Sequence, residues 1–518
     1  MAIFGSVIKR GLKLSVFLQK KKSNPAKTQR KTLYKLLSKA ENTDFGVKYG
    51  FKSTLRRFLF ESNQDFYQRF QESVPIHDYN KMFENWWHRT LEGEKNVSWP
   101  GRTKYFALSS GTSEAASKHI PVTKAMSKAF QRTGIKQILS LGNYKDLPPD
   151  TYEKGFLMLG GSTNLQSKNG HFEGDVSGIN AGKIPFWFQP YYKPGKKIAQ
   201  ERDWTTKLEE IVRQAPSWDI GFIVGVPAWL QIVVEKIIDF HHLKNIHDIW
   251  PNLRVFAHGG VSFEPYRAGF EKLLSPNVPM IYIDTYLASE GYIAYQTKPD
   301  AEGMQLVLNS GIFFEFIPFN EENFDADGEM LATPKTLMID QVVAGVEYAL
   351  LISTCSGAWR YLIGDTIKFV NTATSEIIIT GRTKHYLSLC GEHLSVENMN
   401  RAIELAAAHF QISIREFTVA GVPDGALFAH NWYIGSDDNV SETELAFFID
   451  QKLCEINDDY VVERRHALRN VSVRVLPTQY FYDWMQAQGK MGGQNKFPRV
   501  LKKKMIDNWA NFLISKGI

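Results

Sequence analysis

A loop of small, hydroxyl-bearing residues is the first segment of the chain whose composition suits the binding of a polyphosphate. It follows the apolar run 104–108 and consists of Ser109, Ser110, Gly111, Thr112 and Ser113. Hydroxyl groups, backbone N–H groups and a position without a Cβ together favour a concave anion site. Lys118 and Thr123 follow closely and would add donors. The loop lacks the spacing of a P-loop, and a plain serine-rich turn is the alternative.

Three later segments each combine small or aromatic residues with a charged side chain at the end of an apolar run. They are 285–291, 359–365 and 380–384, and their candidate ligand-binding residues are Tyr286, Ser289, Glu290, Tyr361, Asp365 and Arg382. A carboxylate such as Asp365 can accept hydrogen bonds from two neighbouring hydroxyl groups. Each segment alone could be a strand end closed by a turn, with Asp365 as a turn cap. Their occurrence together, in this order, favours one shared site.

Lys496 lies in a segment near the C-terminus that is typical of a loop. Gly492 and Gly493 precede it and Pro498 follows, which predicts a shaped loop rather than a plain helix face. The alternative is a solvated lysine in a basic tail that also contains Arg499, Lys502, Lys503 and Lys504.

Alternating strand and helix patterns must position these residues, and they predict an α/β architecture with buried sheets. In the first half, strands are expected over 104–108, 220–226 and 278–285, and helices up to about residue 51, in short pieces over 58–87, after Thr123 and over 228–240. Further strands are expected over 312–317, 347–353, 366–370 and 377–380.

From about residue 385 the pattern changes to a smaller α+β region. Helices are expected over 397–409 and 442–456, and strands over 416–422 and 471–476. The sequence therefore predicts two domains, 1–384 and 385–518, with a boundary near 382–388.

The amino-acid composition limits the class of protein and the kinds of partner that it could bind. Apolar residues make up 43% of the chain and charged residues 22%, as in soluble globular proteins. The first 40 residues hold 11 Lys or Arg and no acid. Such a basic segment can bind a membrane surface or a nucleic acid; the alternative is a solvated helix packed on the rest of the protein. We expect neither a signal peptide nor a membrane span. Cys355, Cys390 and Cys454 form no CxxC pair, which argues against zinc and disulfides and for a reducing cytoplasm.

The four segments, taken in order, resemble the adenylate-forming superfamily. The closer resemblance is to the auxin-responsive acyl-acid amido synthetase family, known in plants and with bacterial relatives, and the chain is similar to a bacterial-type member. The resemblance extends from about residue 30 to the end. Ser109–Ser113 with Lys118 resembles the family's phosphate loop, although Ala116 and Ser117 stand where the family usually has Gly and Pro.

This resemblance implies a role for each candidate residue and implies ATP and Mg²⁺ as cofactors. Tyr286 would lie against the adenine, Glu290 would hold Mg²⁺ and Asp365 would bind the ribose hydroxyls. Arg382 would bind the nucleotide beside a hinge around 384–388, and Lys496 would be the mobile catalytic lysine. The implied fold is a large multi-layer N-terminal domain with β-sheets packed on helices, plus a smaller mobile α+β C-terminal domain.

The implied function is ATP-dependent adenylation of a carboxylic acid, followed by acyl transfer to an amine such as an amino acid. An acyl-CoA ligase and a non-catalytic nucleotide or acyl-acid binding protein are the alternatives. We expect a small-molecule acid and an amine as partners, no nucleic acid, and a monomer or weak dimer. The segments 225–230 and 256–261 resemble the acyl-site region; Trp229 and His258 there could be pocket or core residues.

Overall fold

The strands and helices of the protein are taken from a computed structural model. It describes Lys9 and residues 24–518, with gaps at 110–117, 185, 261–262, 300, 326–327, 384–386, 388–393, 425–426, 458–459, 462–463, 465–467, 491–495 and 502–503. The strands in this part of the chain are β1 Tyr105–Ser109, β2 Lys118–Pro121, β3 Gly155–Met158, β4 Gln166–Lys168, β5 His171–Gly174, β6 Tyr192–Lys193, β7 Ile220–Gly225, β8 Val255–Gly259, β9 Ile281–Ala288, β10 Gly291–Tyr295, β11 Met304–Leu306, β12 Ile312–Pro318, β13 Glu347–Thr354, β14 Tyr361–Asn371, β15 Glu376–Arg382, β16 Glu416–Asp424, β17 Leu427–Gly435, β18 Leu468–Leu476 and β19 Val500–Leu501.

These strands form three sheets. The largest has the order β12-β13-β14-β15-β11-β10-β9-β8-β7-β3-β6 and is mixed, with parallel pairing from β9 through β8, β7 and β3 to β6. A small sheet, β2-β1-β5-β4, carries the segments on either side of the serine-rich loop. A third sheet, β18-β17-β16-β19, belongs to the C-terminal part.

Helices cover the sheets. The α-helices of the described residues are Pro25–Ala40, Asp44–Lys48, Phe51–Arg56, Asn63–Ser73, Tyr79–Met82, His88–Leu91, Lys124–Ser140, Val176–Ala181, Lys196–Ala199, Trp204–Gln214, Pro227–Phe240, Glu264–Glu271, Val396–Phe410, Glu442–Ile456, Thr478–Ala487 and Lys504–Ser515. A π-helical turn covers Phe83–Trp87, and short 3-10 helices cover Leu141–Asn143, Pro149–Glu153, Phe186–Phe188, Ala215–Ser217 and Ile246–Asp248. No helix among the described residues is long and apolar enough to span a bilayer.

The architecture predicted from the sequence is confirmed, with local corrections. The basic start is not one helix to residue 51: after Ala40 the chain turns, and Thr43 caps a new helix through Gly46 N–H. β14 begins at Tyr361 rather than at 366, because Gly364 takes φ +88° inside the strand. The 359–365 segment therefore runs into a strand rather than a turn, and the turn-cap interpretation of Asp365 is wrong.

The C-terminal part shares an apolar core with the larger part. Helix Pro227–Phe240 is buried along most of its length, and its cluster of buried residues includes Phe481, Trp484, Phe497 and Trp509. The C-terminal α+β region thus packs directly against the helix that follows β7. The predicted boundary at 384 falls after β15 and before helix Val396–Phe410, largely outside the described residues, and stays a prediction.

A buried ion pair ties the N-terminal helices to the strands that carry the candidate site. Arg360, at the start of β14, lies 3.0 Å from Glu315 on β12, and the two side chains are 6% and 0% exposed. The same guanidinium donates to the carbonyl oxygens of Gln71 and Val74, both at 2.9 Å. Because the contact directly precedes Tyr361, it fixes where β14 begins.

Replacing Arg360 tests this attachment. We expect Arg360→Met to lower the free energy of unfolding by about 3–5 kcal/mol, because Glu315 would be left buried without its partner. Urea unfolding followed by circular dichroism measures the change. The matched control is Arg213→Met, which removes an exposed pair with Glu210 and should cost less than about 1 kcal/mol. Equal effects in the two variants would contradict the structural role of the buried pair.

Candidate active site

Asp365 is the residue on which the candidate site converges. It lies opposite Arg382 in the antiparallel pairing of β14 and β15, and Arg382 Nε is 2.9 Å from Asp365 Oδ1. The Tyr286 hydroxyl donates a hydrogen bond to Asp365 Oδ2. Arg382 also donates to the Ile363 carbonyl oxygen at 3.2 Å. Two residues predicted from other segments, Tyr286 and Arg382, thus bind the carboxylate of Asp365.

The contact between Tyr286 and Asp365 requires the large sheet to curl. β9 carries Tyr286 and β14 carries Asp365, and β10, β11 and β15 lie between them in the sheet order. At about 4.8 Å per strand, a flat sheet would separate β9 and β14 by roughly 19 Å, too far for the two side chains to meet. The sheet therefore folds back over the site, and its two arms face each other there.

Glu290 lies in the tight turn between β9 and β10. Gly291 pairs with Ala288 across this turn, which leaves Ser289 and Glu290 at its tip. A Cβ on Gly291 would lie 2.6 Å from Ile312 Cδ1, so a larger residue there would require the Ile312 side chain to shift. Ser289 is half-buried and Glu290 is buried.

The carboxyl of Glu290 is held in a polar but poorly hydrated place. Burial raises its pKa, and the nearby Asp365 raises it further, whereas Arg382 and Lys118 act in the opposite direction. The pKa of Tyr361 is raised well above its usual value, chiefly by burial and next by the nearby charge of Glu290. Glu290 and Tyr361 thus belong to the same cluster as Asp365.

The serine-rich loop lies largely outside the described residues. β1 ends at Ser109 and β2 begins at Lys118, and these two residues pair across the antiparallel strands. Ser110, Gly111, Thr112 and Ser113 fall in the gap between them, so their role stays a prediction. The position of Lys118 is known: its ammonium lies 5.3 Å from the centre of the Tyr79 ring and acts electrostatically on Glu290.

Thr123 is not positioned as a phosphate donor, contrary to expectation. Its hydroxyl donates to the Cys355 carbonyl oxygen at 2.6 Å and accepts from Met126 N–H at 3.1 Å. The second of these interactions is the N-cap of helix Lys124–Ser140. The hydroxyl is occupied by this structural role.

Lys496 reaches the same cluster from the C-terminal part. Its Cε and Nζ lie 3.2 and 3.4 Å from the position that a Cβ on Gly260 would take. The pKa of Lys496 is lowered to about 8, chiefly because the surrounding protein desolvates its ammonium group. The charge of Asp365 acts in the opposite direction, and the charges of Arg382 and Arg499 lower the pKa further. The residue as a whole is exposed, whereas its amine end lies beside Gly260.

Arg499 anchors the segment that carries Lys496, a role that the sequence did not reveal. Its Nη1 lies 2.7 Å from Glu416 Oε2, and the Tyr266 hydroxyl donates to Glu416 Oε1 at 2.9 Å. Tyr266 belongs to helix Glu264–Glu271 of the larger part, whereas Arg499 and Glu416 belong to the C-terminal part. The charge pattern of a basic tail does not indicate that one of its arginines pairs with a buried carboxylate.

A small cavity lies behind this anchor. Its volume is about 10 Å³, enough for about one water molecule, and its lining includes Trp229, Tyr266, Glu416, Tyr482 and Lys496. Trp229 is 1% exposed and packs against the rings of Trp204 and Tyr482. It is thus a core residue that also borders the space beside Lys496.

His258 fits the core interpretation better than a catalytic one. Its buried ring packs against Phe256 and Phe263, with ring centres 5.2 and 4.6 Å away. Its Nδ1 lies 3.0 Å from Asp284 Oδ1. These contacts hold the ring among its neighbours at the end of β8.

Comparison with known families finds one family whose models match three successive segments of the chain. Models of the GH3 family N-terminal, central and C-terminal domains match residues 15–211, 305–382 and 397–505. The matches follow the order of the domains and together cover more than half of the chain. The central-domain match contains Tyr361, Asp365 and Arg382.

Similar curated proteins include two kinds of plant enzyme. Indole-3-acetic acid-amido synthetase GH3.4 of Arabidopsis thaliana is 30% identical over 230 residues, which are 41% of this chain and 36% of that protein. Jasmonoyl–L-amino acid synthetase JAR4 of Nicotiana attenuata is 25% identical over 274 residues, 49% of this chain and 45% of that protein. The matched segments cover less than half of the length of each of these two relatives.

Solved structures share the whole fold. GH3.15 acyl acid amido synthetase superposes with a TM-score of 0.75 at 16% identity, covering 97% of this chain and 96% of that one. A 2-hydroxyisobutyryl-CoA ligase with its adenylate bound gives a TM-score of 0.58 at 11% identity, covering 94% and 91%. At these identities the superpositions establish the fold.

The lowered pKa of Lys496 can be measured by chemical labelling. With a pKa of about 8, roughly a quarter of its amines are unprotonated at pH 7.5 and available to an amine-reactive reagent. We expect Lys496 to label many-fold faster than the exposed Lys196 at that pH, as read by peptide mass spectrometry. Labelling of Lys496 that increases only above pH 10 would contradict the assigned environment.

Proposed function

Because this chain belongs to the GH3 family, we propose that it is an acyl-acid amido synthetase. It would activate a carboxylic acid with ATP as an acyl-adenylate and transfer the acyl group to an amine, that of an amino acid. One observation carries the proposal: Tyr286, Glu290, Asp365 and Arg382 form one cluster, and Lys496 approaches it from the C-terminal part.

The cluster suits a nucleotide because it combines carboxylates with cations around one poorly hydrated space. Asp365 uses one oxygen for Tyr286 and the other for Arg382, and each carboxylate oxygen can accept a second hydrogen bond, as from a ribose hydroxyl. Lys118, Arg382 and Lys496 supply positive charge for the phosphates. The serine-rich loop between β1 and β2 is the proposed cradle for them.

Glu290 fits Mg²⁺. Its pKa is raised by burial and by Asp365, so a divalent cation would stabilise its charged form. The described residues contain no cluster of three His, Cys, Asp or Glu side chains able to hold a metal. Mg²⁺ usually binds through one or two carboxylates and substrate phosphates, which requires no such cluster. Bound there, the ion would offset phosphate charge.

The first half-reaction joins two anions, so charge neutralisation is its main requirement. A carboxylate oxygen of the acid attacks the α-phosphorus of ATP, the bond to the bridging oxygen breaks and pyrophosphate leaves. Lys496 would stabilise the charge that increases on the phosphate during attack. The protein must otherwise align the reactants. This fits a cluster that contains cations and hydrogen-bond donors.

In the second half-reaction the amine attacks the acyl carbon, AMP leaves and the amine loses a proton. We propose that the C-terminal domain, 385–518, moves between the two steps about a hinge near 384–388 and shields the mixed anhydride from water. Small-angle scattering without ligand, with ATP and with AMP tests the movement. Identical curves in all three states would contradict a large swing.

We place the protein in a reducing cytoplasm, as a monomer or weak dimer. Neither Cys355 nor Cys454 is in a disulfide, which agrees with that compartment. The acyl-CoA ligase remains the competing function, because it shares the first half-reaction.

Two assays test the function and separate it from the alternative. A panel of carboxylic acids is screened for acid-dependent exchange of pyrophosphate into ATP, which reports adenylation. AMP release is then measured with amino acids and, separately, with CoA. Amino-acid-dependent release is expected; release with CoA alone would favour the ligase that forms thioesters. Tight ATP binding without exchange for any acid would favour a non-catalytic binding protein.

Removing the ammonium of Lys496 should slow adenylation. We expect Lys496→Ala to raise the barrier of pyrophosphate exchange by about 2–4 kcal/mol, the scale for loss of one transition-state charge partner. Lys504→Ala, which removes an exposed lysine at the start of the last helix, is the matched control and should leave the rate unchanged. A wild-type rate in Lys496→Ala would refute the assignment.

The pH dependence of adenylation should report the same group. The ammonium of Lys496 is present below its pKa of about 8 and is lost as the pH rises through that value. The kcat/KM of exchange, which reports the free enzyme, should therefore fall above pH 8. In Lys496→Arg the side chain stays charged, so this fall should disappear. A flat profile in the unmodified enzyme would contradict the prediction.

A further inference from the structure

Two apolar side chains of the N-terminal helices are almost completely exposed. Leu59 is 82% and Phe60 is 88% exposed, and both lie in the turn between helices Phe51–Arg56 and Asn63–Ser73. Side chains of this size are normally at least partly covered on a monomer, and adjacent exposed ones often mark an interaction surface.

The turn is held in place by its neighbours. Arg30 donates to the carbonyl oxygens of Phe58 and Glu61, the latter at 2.9 Å, and to Asn63 Oδ1 at 3.0 Å. The Phe58 ring packs on Tyr34, with ring centres 4.2 Å apart, and Phe60 N–H donates to the Arg57 carbonyl oxygen at 2.9 Å. Residues on both sides of Leu59 and Phe60 are thus anchored, so their exposure is a property of the fold.

Exposed cations lie on the neighbouring helices. Lys27, Lys31 and Lys35 follow one another at four-residue spacing on helix Pro25–Ala40, which places them on one face. The exposed cations next to the turn are Lys52, Arg56 and Arg57. We call these six cations, together with Leu59 and Phe60, the basic–apolar surface.

The acids near the turn do not cancel this charge. The Glu61 side chain is 7% exposed and is paired with Arg69. Asp65 is exposed and accepts from the Ser62 hydroxyl at 2.8 Å in the N-cap of its helix. Earlier in the chain, Asp44 is paired with Arg89. The surface therefore keeps a positive excess.

We propose that the basic–apolar surface binds anionic lipid bilayers. Lysine and arginine side chains attract the negatively charged headgroups, while Leu59 and Phe60 insert into the boundary between headgroups and acyl chains. This combination favours a membrane over a nucleic acid, because an aliphatic side chain such as Leu59 gains little from phosphates or bases. The surface uses none of the residues of the candidate active site, so the proposal is independent of the proposed function.

Vesicle sedimentation of the full chain tests the proposal. Binding is measured to phosphatidylcholine vesicles with and without phosphatidylserine, and is expected only when phosphatidylserine is present. Leu59→Ser/Phe60→Ser should reduce the partition coefficient at least tenfold. Lys31→Glu/Lys35→Glu should reduce it by roughly fivefold or more for each lysine. The thermal unfolding midpoint of each variant shows that the fold is kept.

Matched controls alter similar residues elsewhere. Phe447 and Ile514 are 72% and 67% exposed, and Lys196 and Lys197 are exposed in a short helix. Phe447→Ser/Ile514→Ser and Lys196→Glu/Lys197→Glu should bind vesicles as the unmodified chain does. Equal loss in controls and test variants overturns the proposal, as does equal binding to neutral vesicles or no binding at all.

Two further outcomes would assign the surface to another partner. Loss of vesicle binding in the lysine variant but not in the Leu59/Phe60 variant would indicate a purely electrostatic surface, as for nucleic acid, and would overturn insertion. A fall in sedimentation-equilibrium mass in Leu59→Ser/Phe60→Ser would indicate contact with a second copy of this chain, and would also overturn the proposal.

Discussion

The carboxylate of Asp365 is the point on which the geometry of the site depends. It accepts from Tyr286 and pairs with Arg382, and it influences the pKa of both Glu290 and Lys496. Strands from the two arms of the curled sheet therefore meet at one group. The buried pair of Arg360 and Glu315 fixes the start of the strand that carries Asp365, so the N-terminal helices contribute to the site without entering it.

Much of this arrangement could be predicted from the sequence because its elements are long and regular. The apolar runs that became β7, β12 and β13 and the periodic patterns of helices Pro227–Phe240 and Glu442–Ile456 carry strong local signals. Glu290, Asp365 and Arg382 were found because each interrupts or ends such a run with a charge. Their contact with each other depends on the curl of the sheet, which no local pattern encodes.

Prediction from the sequence failed where long-range packing overrides the local conformational preference of the residues. β17 was missed because polar residues such as Asn431 lie within it, although the Ser472 hydroxyl donates to that side chain from the neighbouring strand at 2.8 Å. Arg499 resembled a solvated member of a basic tail, yet Glu416 and Tyr266 enclose it. Gly364 suggested a turn, but a positive φ within a strand satisfies the same preference.

The anchor that holds Lys496 in place also joins the two parts of the protein. Tyr266 and Glu235 of the larger part contact Glu416 and Arg415 of the C-terminal part, and Trp229 packs on Tyr482. Any rotation that withdraws Lys496 must break these contacts and expose aromatic surface to water. In the reaction proposed above, stronger contacts here would favour formation of the acyl-adenylate and slow the acyl transfer that follows, and weaker contacts would do the reverse.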